Sequence, residues 1–456
     1  MLKLGCGKVA HKKLFGTSGI RGLINSEITS ELALNVGRSL ATYLGNKGKV
    51  VLGYDTRTTN EMLDQAICAG LLESGVDVIK IGLVPTPLVG FATEKLNADA
   101  GVMLTASHNP SQYNGIKLWN KNGMAYSALQ EMGIEKIYNN KSYKFAEWDK
   151  IGKISYDNEI KGTYIDALVD TVDIKPGLKV VIDCASGAGS EISPLVFRKA
   201  GCEVTTLNSQ FDGFFPGRNP EPNAANLKSL MKTVKAIGAD LGIAHDGDAD
   251  RMITVDEEGN ISPFDTLLAL ISKKFGGKVV TTVDAGLCMD ESLSSVGGEV
   301  LRTKVGDVNI AEVIIQENCT FGGEPSGTWL HPDFCMCPDG ILSGLRIAEL
   351  VSKEGKLSEL LKEIPTYPNI REKITCSKEA KIKVMKNMEQ LLKESFNDIR
   401  NINTIDGVRL TFNDDSWVLV RPSGTEDYVR ITLESKSQER ANLIRDKCLK
   451  IIKLNL

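Results

Sequence analysis

The densest chemistry in the chain is the run Ala244-His245-Asp246-Gly247-Asp248-Ala249-Asp250-Arg251. Three carboxylates at alternating positions follow an apolar stretch, 241–244, and a loop that turns there can aim all three at one hard cation through oxygen ligands. An EF-hand competes for this pattern, since Glu257 falls at its twelfth loop position. Its sixth position wants Gly and holds Arg251, however, and the flanks read as strands rather than helices. A merely solvated acidic turn suits two Asp better than three beside an Arg. The loop therefore reads as a divalent-cation site with Asp246, Asp248 and Asp250 as ligands and Mg²⁺ as the ion.

A second cluster is Thr105-Ala106-Ser107-His108-Asn109-Pro110, directly after an apolar stretch at 101–104. In α/β sheets, ligands bind beyond the carboxyl ends of strands, which is the right place for a reacting Ser107 with His108 beside it. Adjacent side chains often point apart, so the Ser-His pair carries little weight alone. Neither a G-x-S-x-G elbow nor a P-loop occurs, which disfavours a hydrolase triad and a Walker NTPase. In Asn114-Gly115-Ile116-Lys117-Leu118 the alternation sets Lys117 opposite Ile116 and Leu118, either on a solvated face or turned toward the site. Gly322-Gly323-Glu324-Pro325-Ser326-Gly327 offers Glu324 and Ser326 to vicinal sugar hydroxyls, with a plain tight turn as the equal alternative. Arg421-Pro422-Ser423-Gly424-Thr425, with Arg430 nearby, holds the donors a phosphate dianion needs. Gly187-Ala188-Gly189 is no dinucleotide fingerprint, because Ile192 stands where Gly or Ala is required.

The elements that must position these groups repeat along the chain. Lys49-Val50-Val51, Lys179-Val180-Val181 and Lys278-Val279-Val280 each open a short β-branched run ending in Asp, at Asp55, Asp183 and Asp284. Each is followed by helical spacing and then by Gly, an acidic residue and Val: Gly75-Val76-Asp77-Val78, Gly201-Cys202-Glu203-Val204 and Gly298-Glu299-Val300. Strand, helix, strand in that rhythm is a βαβ unit with parallel pairing. Three α/β domains are expected, at 1–155, 156–257 and 258–370, although βαβ units also recur without kinship. Residues 371–456 differ: a helix at 378–396, strands around 408–412 and 417–420, a Ser-Gly turn, a strand at 428–433 and a closing helix make a small α+β domain. Pro365 and Pro368 stiffen a linker at 364–368.

Composition bounds the class. The 456 residues carry 54 Lys+Arg against 58 Asp+Glu, a net charge of −4 that argues against a nucleic-acid surface. Hydrophobic residues at 42% and charged residues at 25% suit folded domains rather than disorder. No apolar run approaches the roughly 18–20 residues of a membrane span, and residues 1–13 lack the apolar core of a signal peptide. Ten scattered cysteines, with one C-x-C at Cys335 and Cys337, fit a reducing compartment better than a disulfide framework or a zinc site. A cytoplasmic, multidomain protein is expected, without membrane or nucleic-acid partners.

Taken together, these segments resemble the α-D-phosphohexomutase family along essentially the whole chain. The resemblance rests on Phe15-Gly16-Thr17-Ser18-Gly19-Ile20-Arg21-Gly22, Gly53-Tyr54-Asp55-Thr56-Arg57, the Ser107 loop, the Asp loop, the Gly-Glu-Pro-Ser-Gly loop and the C-terminal phosphate loop. It implies four domains around a central cleft, three α/β with mixed sheets and a last one similar to a TATA-box-binding-protein-like α+β unit. It implies a phosphorylated Ser107, one Mg²⁺ held by Asp246, Asp248, Asp250 and the Ser107 phosphate, and basic groups Arg21, Lys117 and Arg251 lining the centre beside His108. Lys117 is similar to the family's proton-transfer residue. Glu324 and Ser326 resemble the sugar readers, and Arg421, Ser423, Gly424 and Thr425, with Arg430, the cradle of the non-reacting phosphate.

The activity so implied is an isomerase that interconverts hexose 6-phosphate and hexose 1-phosphate through a hexose 1,6-bisphosphate, as a monomer or homodimer. Thr303-Lys304-Val305-Gly306-Asp307 and the Phe-Gly-Thr start are similar to those of members acting on glucosamine phosphate, which ranks first. A dual mannose/glucose phosphate enzyme is the alternative. Thr328, where several bacterial relatives carry His, bears on that choice; Asp427, where Pro is frequent, does not. A sugar-phosphate binder that has lost catalysis would not need the intact set of Ser107 and three Asp.

Overall fold

A computed structural model describes residues 13–16, 18–423 and 427–456. The first sheet holds β1 (Ile20–Leu23), β2 (Lys49–Tyr54), β3 (Asp77–Leu83), β4 (Ala100–Leu104), β5 (Tyr113–Asn120) and β6 (Ile154–Tyr156), in the order β1-β5-β4-β2-β3-β6. The second holds β7 (Lys179–Asp183), β8 (Glu203–Leu207), β9 (Leu241–His245) and β10 (Met252–Val255), in the order β10-β9-β7-β8. The third holds β11 (Lys278–Thr282), β12 (Glu299–Thr303), β13 (Phe321–Gly323), β14 (Trp329–His331) and β15 (Cys335–Pro338), in the order β12-β11-β13-β14-β15.

One four-strand unit is common to all three sheets. Its centre is β2, β7 or β11, the three Lys-Val-Val runs, and its parallel neighbour is β3, β8 or β12. On the other side lies a second parallel strand, β4, β9 or β13. That strand turns back through a short loop into an antiparallel partner, β5, β10 or β14. The parallel pairing expected of each βαβ unit is present, and the added antiparallel strand makes each sheet mixed, as the family resemblance implies. The three return loops are too short to hold a crossover helix, so the chain can only come back antiparallel. Those loops are the three that carry Ser107, the Asp triad and Glu324.

Domains meet through one apolar core that runs from Val51 and Trp119 through Val180 and Ile243 to Val279, Phe321 and Ile341. The helix Gly340–Glu354 follows the third sheet in sequence but packs on β9 and β10 of the second. A Cβ at Gly344 would lie 3.2 Å from Ile243 and Phe197, so the small residue sets how closely that helix approaches. At its start, a Cβ on Gly340 would sit 2.3 Å from the Arg251 carbonyl, and the Gly340 N–H donates to the Ala249 carbonyl at 3.2 Å. The third domain thereby presses a helix N-terminus against the Asp loop of the second.

The last unit is an all-antiparallel sheet of β16 (Asn369–Thr375), β17 (Ile399–Asn403), β18 (Val408–Phe412), β19 (Trp417–Pro422) and β20 (Tyr428–Glu434), in the order β16-β20-β19-β18-β17. Helices Lys378–Ser395 and Gln438–Asn455 cover it, with Val384, Met388, Leu410, Ile431, Ile444 and Cys448 in its core. Sequence patterning missed β16 and β17, whose residues alternate with many charges and are partly exposed at the sheet edges. Because β16 pairs with β20 over its whole length, a boundary at 370/371 cuts a strand. The boundary at 155/156 likewise cuts β6, which pairs with β3. The 364–368 linker is pinned rather than free: Ile364 is buried, and Tyr367 packs with Val283, Leu287, Trp417 and Leu419.

His331, on β14 of the third sheet, gives that domain a pH signature. The ring is buried, with Nε2 2.9 Å from the Ser343 hydroxyl, and burial next to Arg346 holds its pKa well below the ordinary value. The unfolded chain takes up a proton near pH 6.5 that the folded chain refuses, so stability is full above that pH and falls as pH drops below it. Urea denaturation of His331→Asn between pH 7 and 5 should show a shallower acid decline than the parent. Parallel declines would mean that His331 does not supply this dependence.

Candidate active site

The Ser107 loop, 105–112, joins β4 to β5. Ser107 is fully buried and has φ +50°, a left-handed backbone that costs a non-glycine residue of order 1–3 kcal/mol and points to a functional constraint. Its N–H donates to Thr105 Oγ1 at 2.9 Å, and its Oγ donates to Asp246 Oδ2 at 2.7 Å. The Asp loop passes directly over it. A Cβ at Gly247 would lie 2.5 Å from the Ser107 carbonyl oxygen, so glycine is required there for the approach of the two loops. Ser107 Oγ also lies 3.2 Å from His108 Nδ1, while His108 Nε2 faces Glu221 at 3.4 Å. Burial, with Arg251 and Arg21 nearby, holds the imidazole far below its usual pKa, so it is neutral.

Lys117 resolves the choice left open by strand alternation, since it is buried and turned into the site. Register on β5 sets it opposite Met103, and Nζ donates to Asp248 Oδ2 at 2.8 Å and Asp250 Oδ2 at 2.7 Å. Asp248 Oδ2 also accepts from Thr86 Oγ1 at 2.6 Å, and its carbonyl accepts the Thr86 N–H at 2.9 Å. Burial acts to lower the Lys117 pKa, but Asp248 and Asp250 outweigh it and keep the amine charged. Burial would likewise raise Asp248; Lys117, Thr86 and Arg21 reverse that and hold it below the usual carboxylate range. Asp246, by contrast, is pushed well up by burial and by the other two carboxylates.

Each of the three carboxylates keeps one oxygen, Oδ1, buried and without a hydrogen-bond partner. One oxygen from each lies within 4.8 Å of the others. Three buried carboxylates that converge at that spacing, each with one oxygen lacking a hydrogen-bond partner, fit a hard divalent cation, which would offset their mutual repulsion. The donor set thus agrees with Mg²⁺.

Arg21 lies on β1 beside β5, opposite Gly115, and its Nη2 donates to Ser18 Oγ at 3.3 Å. Arg251 leaves the Asp loop with Nε 3.9 Å from Asp250 Oδ1. Its backbone bridges to Thr328, and the Met252 N–H donates to the Gly327 carbonyl at 3.1 Å. The Asp loop and the Glu324 loop are therefore joined backbone to backbone. Glu324 Oε2 accepts from Ser326 Oγ at 3.0 Å and Oε1 from the Gly306 N–H at 2.6 Å. Burial, with Asp307 and Asp284 close by, pushes the Glu324 carboxyl up to about 7, and Arg251 opposes the shift.

The fourth sheet brings a separate group. Register places Arg421 directly opposite Arg430, and like charges facing across strands are unfavourable without an anion between or beside them. Arg421 pairs with Asp406 at 2.9 Å, and Arg430 donates to the Tyr428 hydroxyl at 2.9 Å. The Ser423 N–H donates to the Tyr428 carbonyl at 3.0 Å, whereas Gly424 and Thr425 lie outside the described residues. Asp406 Oδ2 also accepts the Val305 N–H at 3.1 Å, next to the Gly306 that holds Glu324. Thus Ser107, His108, Lys117, the three Asp and Arg251 form one centre, Glu324 and Ser326 adjoin it through Arg251 and Gly327, and Arg421 is tied in through Asp406.

Sequence reading missed Thr86, Arg218, Glu221 and Asp406. Arg218 pairs with Asp183 at 2.9 Å and donates to the His245 carbonyl at 2.6 Å, holding the entry to the Asp loop from a distant polar segment, Gly217-Arg218-Asn219-Pro220-Glu221-Pro222. Its two prolines around a charged residue were the available signal. Thr86 and Asp406 carried none, since each acts only through a long-range contact.

Four family models match in order: phosphoglucomutase/phosphomannomutase alpha/beta/alpha domain I over residues 12–145, domain II over 162–259, domain III over 264–367 and the C-terminal domain over 373–451. The chain belongs to the phosphoglucomutase/phosphomannomutase family, whose resemblance its loops carry, and is an isomerase of the phosphohexomutase class. Among its relatives, a probable phosphoglucosamine mutase of Methanobrevibacter smithii is 79% identical over 448 residues, 98% of this chain and 100% of that one. Another from Methanothermobacter thermautotrophicus is 58% identical, covering 95% and 96% of the two chains. A solved phosphoglucomutase/phosphomannomutase family protein from Burkholderia thailandensis superposes with a TM-score of 0.88 at 26% identity, covering 97% of both chains. Among the described residues, no helix is long and apolar enough to cross a membrane.

Removing Lys117 tests the electrostatics of the centre. Breaking a buried ion pair by deleting one partner costs about 3–5 kcal/mol, because the remaining charge stays buried. Lys117→Met should lose about that much stability in EDTA and clearly less in Mg²⁺, where a cation again balances the carboxylates. Denaturation curves with and without Mg²⁺ decide this: an equal loss in both would show that no bound cation takes over the charge balance of Lys117, and curves of the parent that do not move with Mg²⁺ would show that the Asp loop takes no cation.

Proposed function

We propose that the protein interconverts glucosamine 6-phosphate and glucosamine 1-phosphate, with Ser107 as phosphoryl carrier and a hexosamine 1,6-bisphosphate as the bound intermediate. The observation that carries this reading is the junction of Ser107 Oγ with Asp246 at 2.7 Å, beside three unpartnered carboxylate oxygens. A serine destined only for structure has no reason to sit at the mouth of such an anionic, cation-ready site. The choice of sugar is supported by the names of relatives up to 79% identical.

In this reading Asp246, Asp248 and Asp250 hold Mg²⁺, with the Ser107 phosphate as a further ligand, and the ion supplies charge neutralisation for phosphoryl transfer. Transfer needs positioning and charge balance above all. The phosphoserine gives its phosphoryl group to the free hydroxyl of the sugar monophosphate, the P–O bond to Ser107 breaking as that to the sugar forms. Arg21 and Arg251 offset charge on the transferring oxygens. As the bond to Ser107 breaks, Lys117, charged in the resting site, can give a proton to the leaving serine oxygen and then take the proton that the sugar hydroxyl loses, and His108 adjoins Ser107 from the other side. Glu324 and Ser326 read sugar hydroxyls. Arg421, Ser423, Gly424 and Thr425, with Arg430, hold the phosphate that is not reacting, so that the bisphosphate can turn over and return its other phosphate to Ser107. The enzyme works in the cytoplasm, as a monomer or homodimer, on a small-molecule substrate; the nine described cysteines are all unpaired, in keeping with a reducing compartment.

Side-by-side coupled assays on glucosamine, mannose and glucose phosphates should give the highest kcat/KM for glucosamine phosphate. A higher value for mannose or glucose phosphate would replace it with the dual-specificity reading. Ser107→Ala should lose nearly all turnover, and the intact mass of the wild type should include a phosphate that the variant lacks. Substantial turnover in the variant would remove Ser107 as carrier.

Arg421→Ala separates holding from chemistry. A charge-assisted phosphate contact is worth about 1.5–3 kcal/mol, so KM should rise about ten- to a hundred-fold. More bisphosphate should escape into solution per turnover, while Ser107 stays phosphorylated. Unchanged KM and unchanged escape would reduce this turn to a structural bend.

A further inference from the structure

The left-handed backbone at Ser107 needs a cause, and the surroundings supply one. The Arg57 side chain is fully buried, as is that of its ion-pair partner Asp55. Its Nη1 donates to the carbonyls of Pro110 at 2.7 Å and Tyr113 at 2.8 Å. Its Nη2 donates to the carbonyls of Ser107 at 2.9 Å and Asn109 at 2.6 Å. Its Nε donates to Asp55 Oδ2 at 3.1 Å. All five N–H groups of a guanidinium are thus spent, three of them on the Ser107 loop and one on Tyr113, where β5 begins. Four carbonyls spread over seven residues can meet one planar fork only if the loop wraps around it, and that wrapping sets the turn at Ser107.

The other end of the fork is anchored as firmly. Asp55 Oδ1 accepts the Arg57 N–H at 2.9 Å and Asn60 Nδ2 at 2.8 Å, while Oδ2 accepts Thr105 Oγ1 at 2.6 Å. Thr105 Oγ1 in turn accepts the Ser107 N–H at 2.9 Å. Ser107 is therefore held directly at its carbonyl by Arg57 and, through the Thr105 hydroxyl, at its N–H by Asp55. The second domain closes over the same group: the Phe215 ring lies 5.2 Å from the guanidinium carbon, and a Cβ at Gly213 would fall 2.3 Å from the Thr56 carbonyl.

We propose that Arg57 is the positioning residue of the phosphoryl-transfer step: its fork holds the Ser107 loop in the left-handed turn that aims Oγ at Asp246, and Phe215 keeps that turn in register with the Asp loop of the second domain. Arg57 touches neither substrate nor reacting atoms in this role. Lysine cannot replace it, because a point charge satisfies Asp55 but cannot serve four carbonyls in a plane. The inference rests on Ser107 being the phosphoryl carrier.

The effect should fall on the chemical step alone. A displacement of about 1 Å at a reacting group can cost about a hundredfold in rate. In Arg57→Lys, kcat should drop about ten- to a hundred-fold with KM within about threefold of wild type, since the sugar and phosphate contacts are untouched. Phosphorylation of Ser107 by added glucose 1,6-bisphosphate, followed by intact mass, should slow by the same factor. Asp55→Asn keeps the fork but loses its charged anchor, and should show a smaller loss confined to kcat; it decides the matter if Arg57→Lys does not fold. Wild-type kcat in a folded Arg57→Lys, or a kcat loss matched by a KM rise, would overturn the proposal. Failure of the carrier reading looks different: wild-type enzyme in turnover would then carry no phosphate on Ser107.

Discussion

Three carboxylates buried within 4.8 Å of one another are the constraint on which this structure turns. Burying one uncompensated anion is expensive, and burying three together is worse because they repel in a low dielectric. Every domain of the α/β part contributes to meeting that cost. The first sends Lys117 to two of the carboxylates and Thr86 to one. The second holds the entry to the loop through Arg218 and places Arg251 at its exit. The third sets the N-terminus of the helix Gly340–Glu354 against the loop backbone, where the peptide dipoles favour negative charge. One oxygen of each carboxylate is still left over, and those three oxygens define what the site can bind.

The same architecture explains why chemistry from three distant stretches of chain converges. Each α/β sheet ends its parallel portion in a hairpin, and the hairpin loop projects from the carboxyl end of a parallel strand, where ligands of such sheets bind. Placing three such loops side by side requires backbones to pass within van der Waals contact. Glycine makes this possible at two junctions: Gly247 over the Ser107 carbonyl, and Gly327 against the Met252 carbonyl, where a Cβ would lie 2.1 Å away. A movement of one loop is thereby felt by its neighbours, which makes the centre stiff.

The fourth sheet is joined differently. Among the described residues its contacts with the third are largely polar: Arg409 donates to the Val283 carbonyl, Glu434 accepts the Leu287 N–H, Arg371 pairs with Asp265, and Asp406 spans Arg421 and the Val305 N–H. The apolar part of the seam is small, built from Val283, Leu287, Trp417 and Leu419. A unit docked on so little apolar surface can shift with respect to the others at modest cost, whereas the first three share one continuous core. That contrast suits the role proposed for this unit, holding a phosphate in more than one pose.

Much of this was legible in the residues themselves. The three Lys-Val-Val runs located the central strands because β-branched runs bounded by Gly and Asp have few other uses. The Asp triad and Ser107 stood out because their types and spacing suit one kind of chemistry. Lys117 could not be assigned from alternation, since a strand residue between two apolar neighbours faces either water or a cleft, and only the packing of the second domain makes that face an interior. Parallel and antiparallel pairing also lay beyond the pattern, because the length of the return loops decides it, not the strands. Arg57 shows the limit most clearly. It sits in a motif plain in the sequence, yet its five acceptors lie at positions 55, 107, 109, 110 and 113, and only the folded chain gathers those oxygens around one guanidinium.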